Sequence, residues 1–217
     1  ANDRVTSSQQ HHDAQDQVHD FILKRLPKSG QPLAAAAAHH FENPGKMLRA
    51  KMVMRGAYLL NVDRGAAIRW AAAIEILHNA SLVHDDICDG DKLRRGRQAV
   101  WAKFGRHVGL TLGDWLIALS FELAAEAAQI AKTPKLVTLL ARHMATTTAG
   151  EAMEFESDRG YDWDTYLQIA ADKTAPLLTA PLQGIAIMAL DARAEIVVAS
   201  YFRYLGKAYQ IANDIMN

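Results

Sequence analysis

The chain has 217 residues, half of them hydrophobic, and its 24 Lys plus Arg balance 24 Asp plus Glu. That is enough apolar mass for one sizeable core, while the neutral balance gives no electrostatic footprint for nucleic acid or an anionic membrane surface. No apolar run is read as approaching the roughly 20 residues of a membrane span and no secretory segment is read at the N terminus, and one cysteine, Cys88, excludes an internal disulfide framework and suits a reducing, cytoplasmic setting.

Residues 1–16, with the polar run SSQQHHDAQDQ, read as a mobile leader. His11 and His12 have no carboxylate spaced to complete a metal site there. Residues 17–217 read as one domain. Helical periodicity predicts helices over about 17–26, 33–41, 46–61, 64–89, 97–105, 108–131, 134–157, 163–171, 174–190 and 192–217. Their breaks fall at KSGQP, ENPG, NVDRG, DGD, KTP and SDRGYD. No alternating apolar run is long enough for a sheet and no period of 20 to 50 residues recurs, so the fold class is all-α and the architecture a bundle.

The densest chemistry lies in Leu77 to Gly96, LHNASLVHDDICDGDKLRRG. No Gly or Pro interrupts Ala66 to Asp89, so Asp85, Asp86 and Asp89 fall on the last turns of a long apolar helix. A helix C terminus carries partial negative charge, which makes carboxylates there unfavourable by some tenths of a kcal/mol each unless cations neutralise them. Asp85 and Asp89 are one turn apart, about 6 Å along the axis, and can share a hard divalent ion. Carboxylates without clustered Cys or His favour Mg2+, whose remaining ligands usually come from water and phosphate. Arg94 and Arg95 add forked donors suited to phosphate oxygens. Together these residues describe a magnesium-diphosphate site; the alternative is a solvated helix end paired with its neighbouring arginines. Cys88 reads as a small helix residue, Trp101, Trp115, Trp163 and Phe104 as core packing, and His84 and Asp91 as rim or surface residues.

LHNASLVHDDICDGDKLRRG resembles the first aspartate-rich region of the trans-isoprenyl diphosphate synthases, most closely that of geranylgeranyl diphosphate synthases. PGKMLRAKM resembles the family's GGKRxRP, GDWL around Asp114 its GDxL, GEAME (Gly150 to Glu154) its GQxxD, DKTAPL its KT pair, and YQIANDIMN its FQIxDDxxD. These ordered segments span Lys46 to Asn217, about four-fifths of the chain. The resemblance implies an all-helical bundle around a deep central cavity, with the aspartate-rich motifs facing each other across its mouth. It implies a prenyltransferase that joins an allylic diphosphate to isopentenyl diphosphate.

By the same resemblance, Lys46, Arg49, His78 and Arg95 hold isopentenyl diphosphate. Arg94, Lys173, Thr174 and Gln210, with Lys207, face the allylic diphosphate. Asp85, Asp86, Asp89 and Lys173 form the catalytic set, and Asp85, Asp89 and Asp214 ligate up to three Mg2+ ions. Ala80, Ser81 and Leu77 form part of the cavity floor, where small residues leave room for a product of twenty carbons or more. Glu151 and Glu154 either join a water network near the metals or pair with Arg142 and Arg159. A homodimer is expected, with a heteromer of two prenyl synthases as the other assembly.

Two departures stand out. The second motif reads Asn213-Asp214-Ile215-Met216-Asn217, so two of three carboxylates are amides, which can ligate Mg2+ without adding charge. The second departure is that the domain is expected to end early at this motif, where the family continues with a basic segment and further helices. The amides leave two rivals: a class I terpene synthase, whose second motif begins Asn-Asp but which binds one diphosphate, and a weakened subunit that modulates a partner synthase.

Overall fold

The computed structural model describes residues 15–155, 162–191, 193–198, 200–201 and 204–205. Residues 1–14 of the expected leader lie outside that set, and residues 15 and 16 are already helical. The elements in order are α1 (15–25), α2 (Ala34–Phe41), α3 (Leu48–Leu59), α4 (Arg64–Cys88), β1 (Leu93–Arg94), β2 (Arg97–Gln98), α5 (Val100–Phe104), α6 (Arg106–Ala131), α7 (Lys135–Phe155) and α8 (Trp163–Met188), followed by helical residues 193–198. The class is all-α, with one small hairpin.

α4 is the central element. Asp63 starts it by accepting the Ala66 N–H on Oδ1 at 2.9 Å, which satisfies an otherwise unpaired first-turn donor. It ends at Cys88, with Asp89 as its C-cap and Gly90 in the left-handed region at φ 73°. Its alanine-rich surface lets neighbours approach on several sides. α6 packs along it most extensively, α3 and α8 lie on other faces, and α7 packs on α8. Trp70, Ile74, Leu112, Leu116 and Leu123 are fully buried where α4 meets its neighbours. By length and composition α6 could cross a membrane, contrary to the sequence expectation. Here it is a core helix: Leu112, Leu116 and Leu123 pack inward against α4.

Two boundaries differ from the sequence expectation. Residues 97–99 are not helical: Leu93 pairs with Gln98 and Arg94 with Arg97 in an antiparallel ribbon. Arg95 (φ 52°) and Gly96 (φ 77°) both occupy the left-handed region, the backbone of a two-residue hairpin turn. The second difference is α8, which runs unbroken from Trp163 to Met188 instead of breaking at Asp172 and Lys173. It contains Pro176 and Pro181, and each proline leaves a carbonyl one turn earlier without its helical donor. Arg49 takes up one of these, donating Nε to the Leu177 oxygen at 3.0 Å.

Trp163 is 62% exposed, stacked on Tyr166 with ring centroids 5.3 Å apart, so it is a surface residue and not the core residue expected. It stands at the start of α8, one residue after the Asp162 cap.

Candidate active site

A cavity of about 690 Å3 opens between α3, α4, α6, α7 and α8. α4 supplies one wall with Leu77, His78, Ser81, Leu82, His84, Asp85 and Cys88. From Leu77 to Asp85 is eight residues, about 12 Å along the helix axis. The wall therefore changes from apolar to acidic towards the helix C terminus. α7 contributes Met144, Thr147, Thr148 and Glu151, spaced at one helical face, and Ile117 of α6 and Leu177 of α8 complete an apolar side.

At the polar end, Lys173 of α8 forms an ion pair with Glu151, Nζ to Oε2, at 2.9 Å. Thr174 and Arg94 line the same space. Burial, then the Glu151 carboxylate, pushes the Asp85 carboxyl up to about 7, with Lys173 acting against the rise. Two carboxylates, Asp85 and Glu151, share this corner with Lys173 and Arg94. Among the described residues, Glu151 Oε1 and Thr147 Oγ1 are both buried without a hydrogen-bond partner. Oxygen donors of this kind, left unmatched beside a carboxylate that resists ionisation, fit a hard divalent cation and its water shell. Among the described residues no three His, Cys, Asp or Glu side chains converge into a metal cluster, so further ligands would have to come from outside that set.

The three aspartates occupy different surroundings. Asp85 faces the cavity. Asp86 is buried and turned to a small neighbouring pocket, where Arg94 donates Nε to its Oδ1 at 2.6 Å. Burial raises its pKa even though Arg94 pulls the other way. Asp89 is exposed at the helix end, close enough for its charge to act on Asp85. For Asp86 the sequence alternative of a helix end paired with its neighbouring arginines holds as to the pairing, but the pair is buried on the Asp86 side and not solvated.

A second group of cationic and imidazole side chains gathers where α3 meets α4. Arg49 and His78 line the cavity. Burial, then Arg49, Arg95 and Arg94, holds the His78 imidazole well below its ordinary pKa, so it is neutral and can donate one N–H. Arg95 donates Nη1 to the Asn43 oxygen at 2.7 Å and lies over Gly45; a Cβ there would come 2.7 Å from its Cζ. Gly45 also has φ 68°, so backbone conformation and close approach both call for glycine. Lys46 follows on the exposed side of this turn.

Leu77 and Ser81 line the cavity, whereas Ala80 is fully buried in the core and is not part of its wall. Ala80 and Ser81, adjacent on α4, project about 100° apart around the helix axis. His84 is half-buried against Gly113 and also reaches the cavity. Cys88 lines it too, its thiol pKa raised by burial and the nearby carboxylates, which disfavours a nucleophilic thiolate. Glu151 pairs with Lys173, and the Glu154 side chain, Arg159, Lys207, Gln210, Asn213, Asp214 and Asn217 lie outside the described residues.

An all-helical bundle around a cavity that joins an apolar wall to acidic and cationic side chains is the isoprenoid-synthase type of fold. The sequence model of the polyprenyl synthetase family matches residues 31–217, and the chain belongs to that family. It is 35% identical over 207 residues to the geranylgeranyl diphosphate synthase of Saccharolobus solfataricus, covering 91% of this chain and 61% of that one. It is 34% identical over 204 residues to heptaprenyl diphosphate synthase component 2 of Geobacillus stearothermophilus, covering 92% and 62%. Among solved structures it is similar to a polyprenyl synthase from Caulobacter crescentus, complexed with calcium and isoprenyl diphosphate, at TM-score 0.84 and 30% identity, covering 99% of this chain and 64% of that one. The chain thus spans about three-fifths of the length of these relatives.

Proposed function

We propose that the protein is a trans-prenyltransferase that extends an allylic diphosphate with isopentenyl diphosphate. The observation that carries this reading is the pairing of two separate diphosphate-compatible ends, Asp85 with Lys173 and Arg49 with His78, on one apolar-walled cavity. An enzyme acting on a single diphosphate has no use for the second group.

Asp85, with Asp89 and Asp214, would hold Mg2+ against the allylic diphosphate, and the orphaned Glu151 Oε1 would accept from its water shell. Bound Mg2+ supplies charge stabilisation for the departing diphosphate. Lys173, Thr174 and Arg94 orient that group and, with Gln210 and Lys207, stabilise the negative charge that develops on it. Arg49, His78, Arg95 and Lys46 fix isopentenyl diphosphate so that its double bond meets the allylic carbon, which makes the step effectively intramolecular. Apolar walls at Leu77, Ile117, Met144 and Leu177 exclude water from the allylic cation. No side chain is assigned as proton acceptor; the released diphosphate takes that role.

The product is geranylgeranyl diphosphate or a longer chain. Ser81 leaves the shaft open towards Leu77, and one similar relative is named a geranylgeranyl diphosphate synthase. The active assembly is a homodimer or a heteromer with a second prenyl synthase; the relative named component 2 favours keeping the heteromer in view.

Calorimetry with Mg2+, an unreactive thiolo analogue of farnesyl diphosphate and isopentenyl diphosphate tests the two-site reading. Elongation requires both to bind the same chain at once. Competition for one site would overturn it in favour of a one-diphosphate enzyme.

A further inference from the structure

Glu75 lies on α4 one turn before His78 and is 3% exposed. Its carboxylate has left its own helix: Oε1 accepts the N–H of Ala50 at 2.8 Å, and burial raises its pKa against the opposing pull of the Ala50 N–H, the Arg49 charge and the Arg49 N–H. Both N–H groups are first-turn donors of α3. That helix has no cap of its own, since Met47 in the N-cap position offers no side-chain acceptor and the first turn contains no acidic residue. Without Glu75 these buried donors would lose their partner, and an anion at a helix N terminus is the favourable match for them.

The surroundings hold Glu75 in this role. Asn79 donates Nδ2 to the Glu75 backbone oxygen at 2.7 Å, and its Oδ1 faces His40 Nε2 at 2.9 Å. A buried carboxylate is costly, and a core this rich in alanine and isoleucine would be filled more cheaply by an apolar side chain. The carboxylate is directed at the backbone of Arg49, whose guanidinium is fixed at its other end on the Leu177 oxygen.

We propose that Glu75 is a positioning residue for the second diphosphate: by capping α3 from the side it sets the backbone of Arg49 and the adjoining Gly45–Lys46 turn. The inference rests on the reading of Arg49 and His78 as isopentenyl diphosphate ligands. Glu75 itself touches no substrate.

The test uses the full chain with Glu75→Gln, which keeps an acceptor oxygen, Glu75→Asp, which keeps the charge but falls short of α3, and Arg49→Ala. Hydrogen exchange reads the cap directly: the Ala50 amide should exchange at least tenfold faster in Glu75→Asp and within about threefold of wild type in Glu75→Gln. In turnover, Glu75→Asp should raise KM for isopentenyl diphosphate about tenfold, leave kcat and KM for the allylic substrate within twofold, and add nothing to Arg49→Ala in the double variant. Unchanged Ala50 exchange in Glu75→Asp overturns the cap. A fall in kcat at constant KM, as a merely less stable protein would give, overturns the positioning role. If Arg49→Ala itself leaves KM unchanged while Ala50 exchange responds, the cap stands and the pocket reading is what fails.

Discussion

Arg49 Nε donates to the Leu177 carbonyl oxygen at 3.0 Å, and Leu177 is the residue whose carbonyl Pro181 leaves without a helical donor. A proline on α8 thus creates the acceptor that orients a cation on α3. Replacing Pro181 by alanine restores an N–H that competes for this oxygen. Pro181→Ala should stabilise the fold by up to about 3 kcal/mol, the helix-interior difference between the two residues, and should raise KM for isopentenyl diphosphate severalfold as Arg49 loses its anchor. Thermal melts and steady-state kinetics read the two effects; a stabilised protein with unchanged KM would show that the Leu177 contact does not orient Arg49.

The raised pKa of Asp85 has a signed consequence for stability. Its folded value, about 7, lies above its ordinary 3.8, so between those pH values the folded metal-free protein binds more protons than the unfolded chain. Stability from this group is full below about pH 4 and is lost as pH rises through 7. In metal-free protein, Asp85→Asn should therefore raise stability at pH 8 by about 1–3 kcal/mol, since each tenfold change in proton affinity corresponds to about 1.4 kcal/mol, with the gain vanishing near pH 4. Denaturant melts across that range check it, and an equal gain at both ends would assign the effect to packing.

Ser81 and Ala80 separate the proposed chain-length wall from the core. Ser81→Phe projects into the cavity and should shorten the main product by at least one five-carbon unit, as read by mass. Ala80→Phe instead overpacks a fully buried position and should destabilise the protein by about 1–3 kcal/mol or more. A stable Ser81→Phe variant with unchanged product length would remove Ser81 from the floor.

Asn213 and Asn217 replace carboxylates in the motif that the family resemblance identifies. Restoring both as aspartate adds two charges towards Mg2+, and the concentration of Mg2+ giving half-maximal rate should fall severalfold. No change in Mg2+ dependence, with thermal stability intact, would mean that the amides serve a different purpose.

Much of this architecture is legible because it depends on local order. The 3.6-residue periodicity and Gly/Pro punctuation predict α1 to α7 to within a few residues, and the Asp63 cap and Gly90 stop bracket α4. The unbroken α8 is not legible, since the carbonyl freed by Pro181 is satisfied by a side chain 128 positions away. The same holds for Glu75, an acid in an apolar helix whose partner is the backbone of another helix. The hairpin at Arg95-Gly96 had a readable signal, a glycine after DKLRR, but strands of two residues are too short for alternation to register. Motif spacing does bring Arg49, His78, Asp85, Arg94, Lys173 and Thr174 to one cavity, while the choice between Asp85 and Asp86 as the cavity-facing carboxylate depends on helix rotation that only packing fixes.

Incubation of the purified chain with Mg2+, labelled isopentenyl diphosphate and farnesyl diphosphate, followed by mass identification of the products, tests the proposed elongation most directly. The account predicts label in a diphosphate of twenty or more carbons. Metal-dependent binding of farnesyl diphosphate with cyclised hydrocarbon as the product, or with no labelled product either from the chain alone or in the presence of a second prenyl synthase, would contradict it.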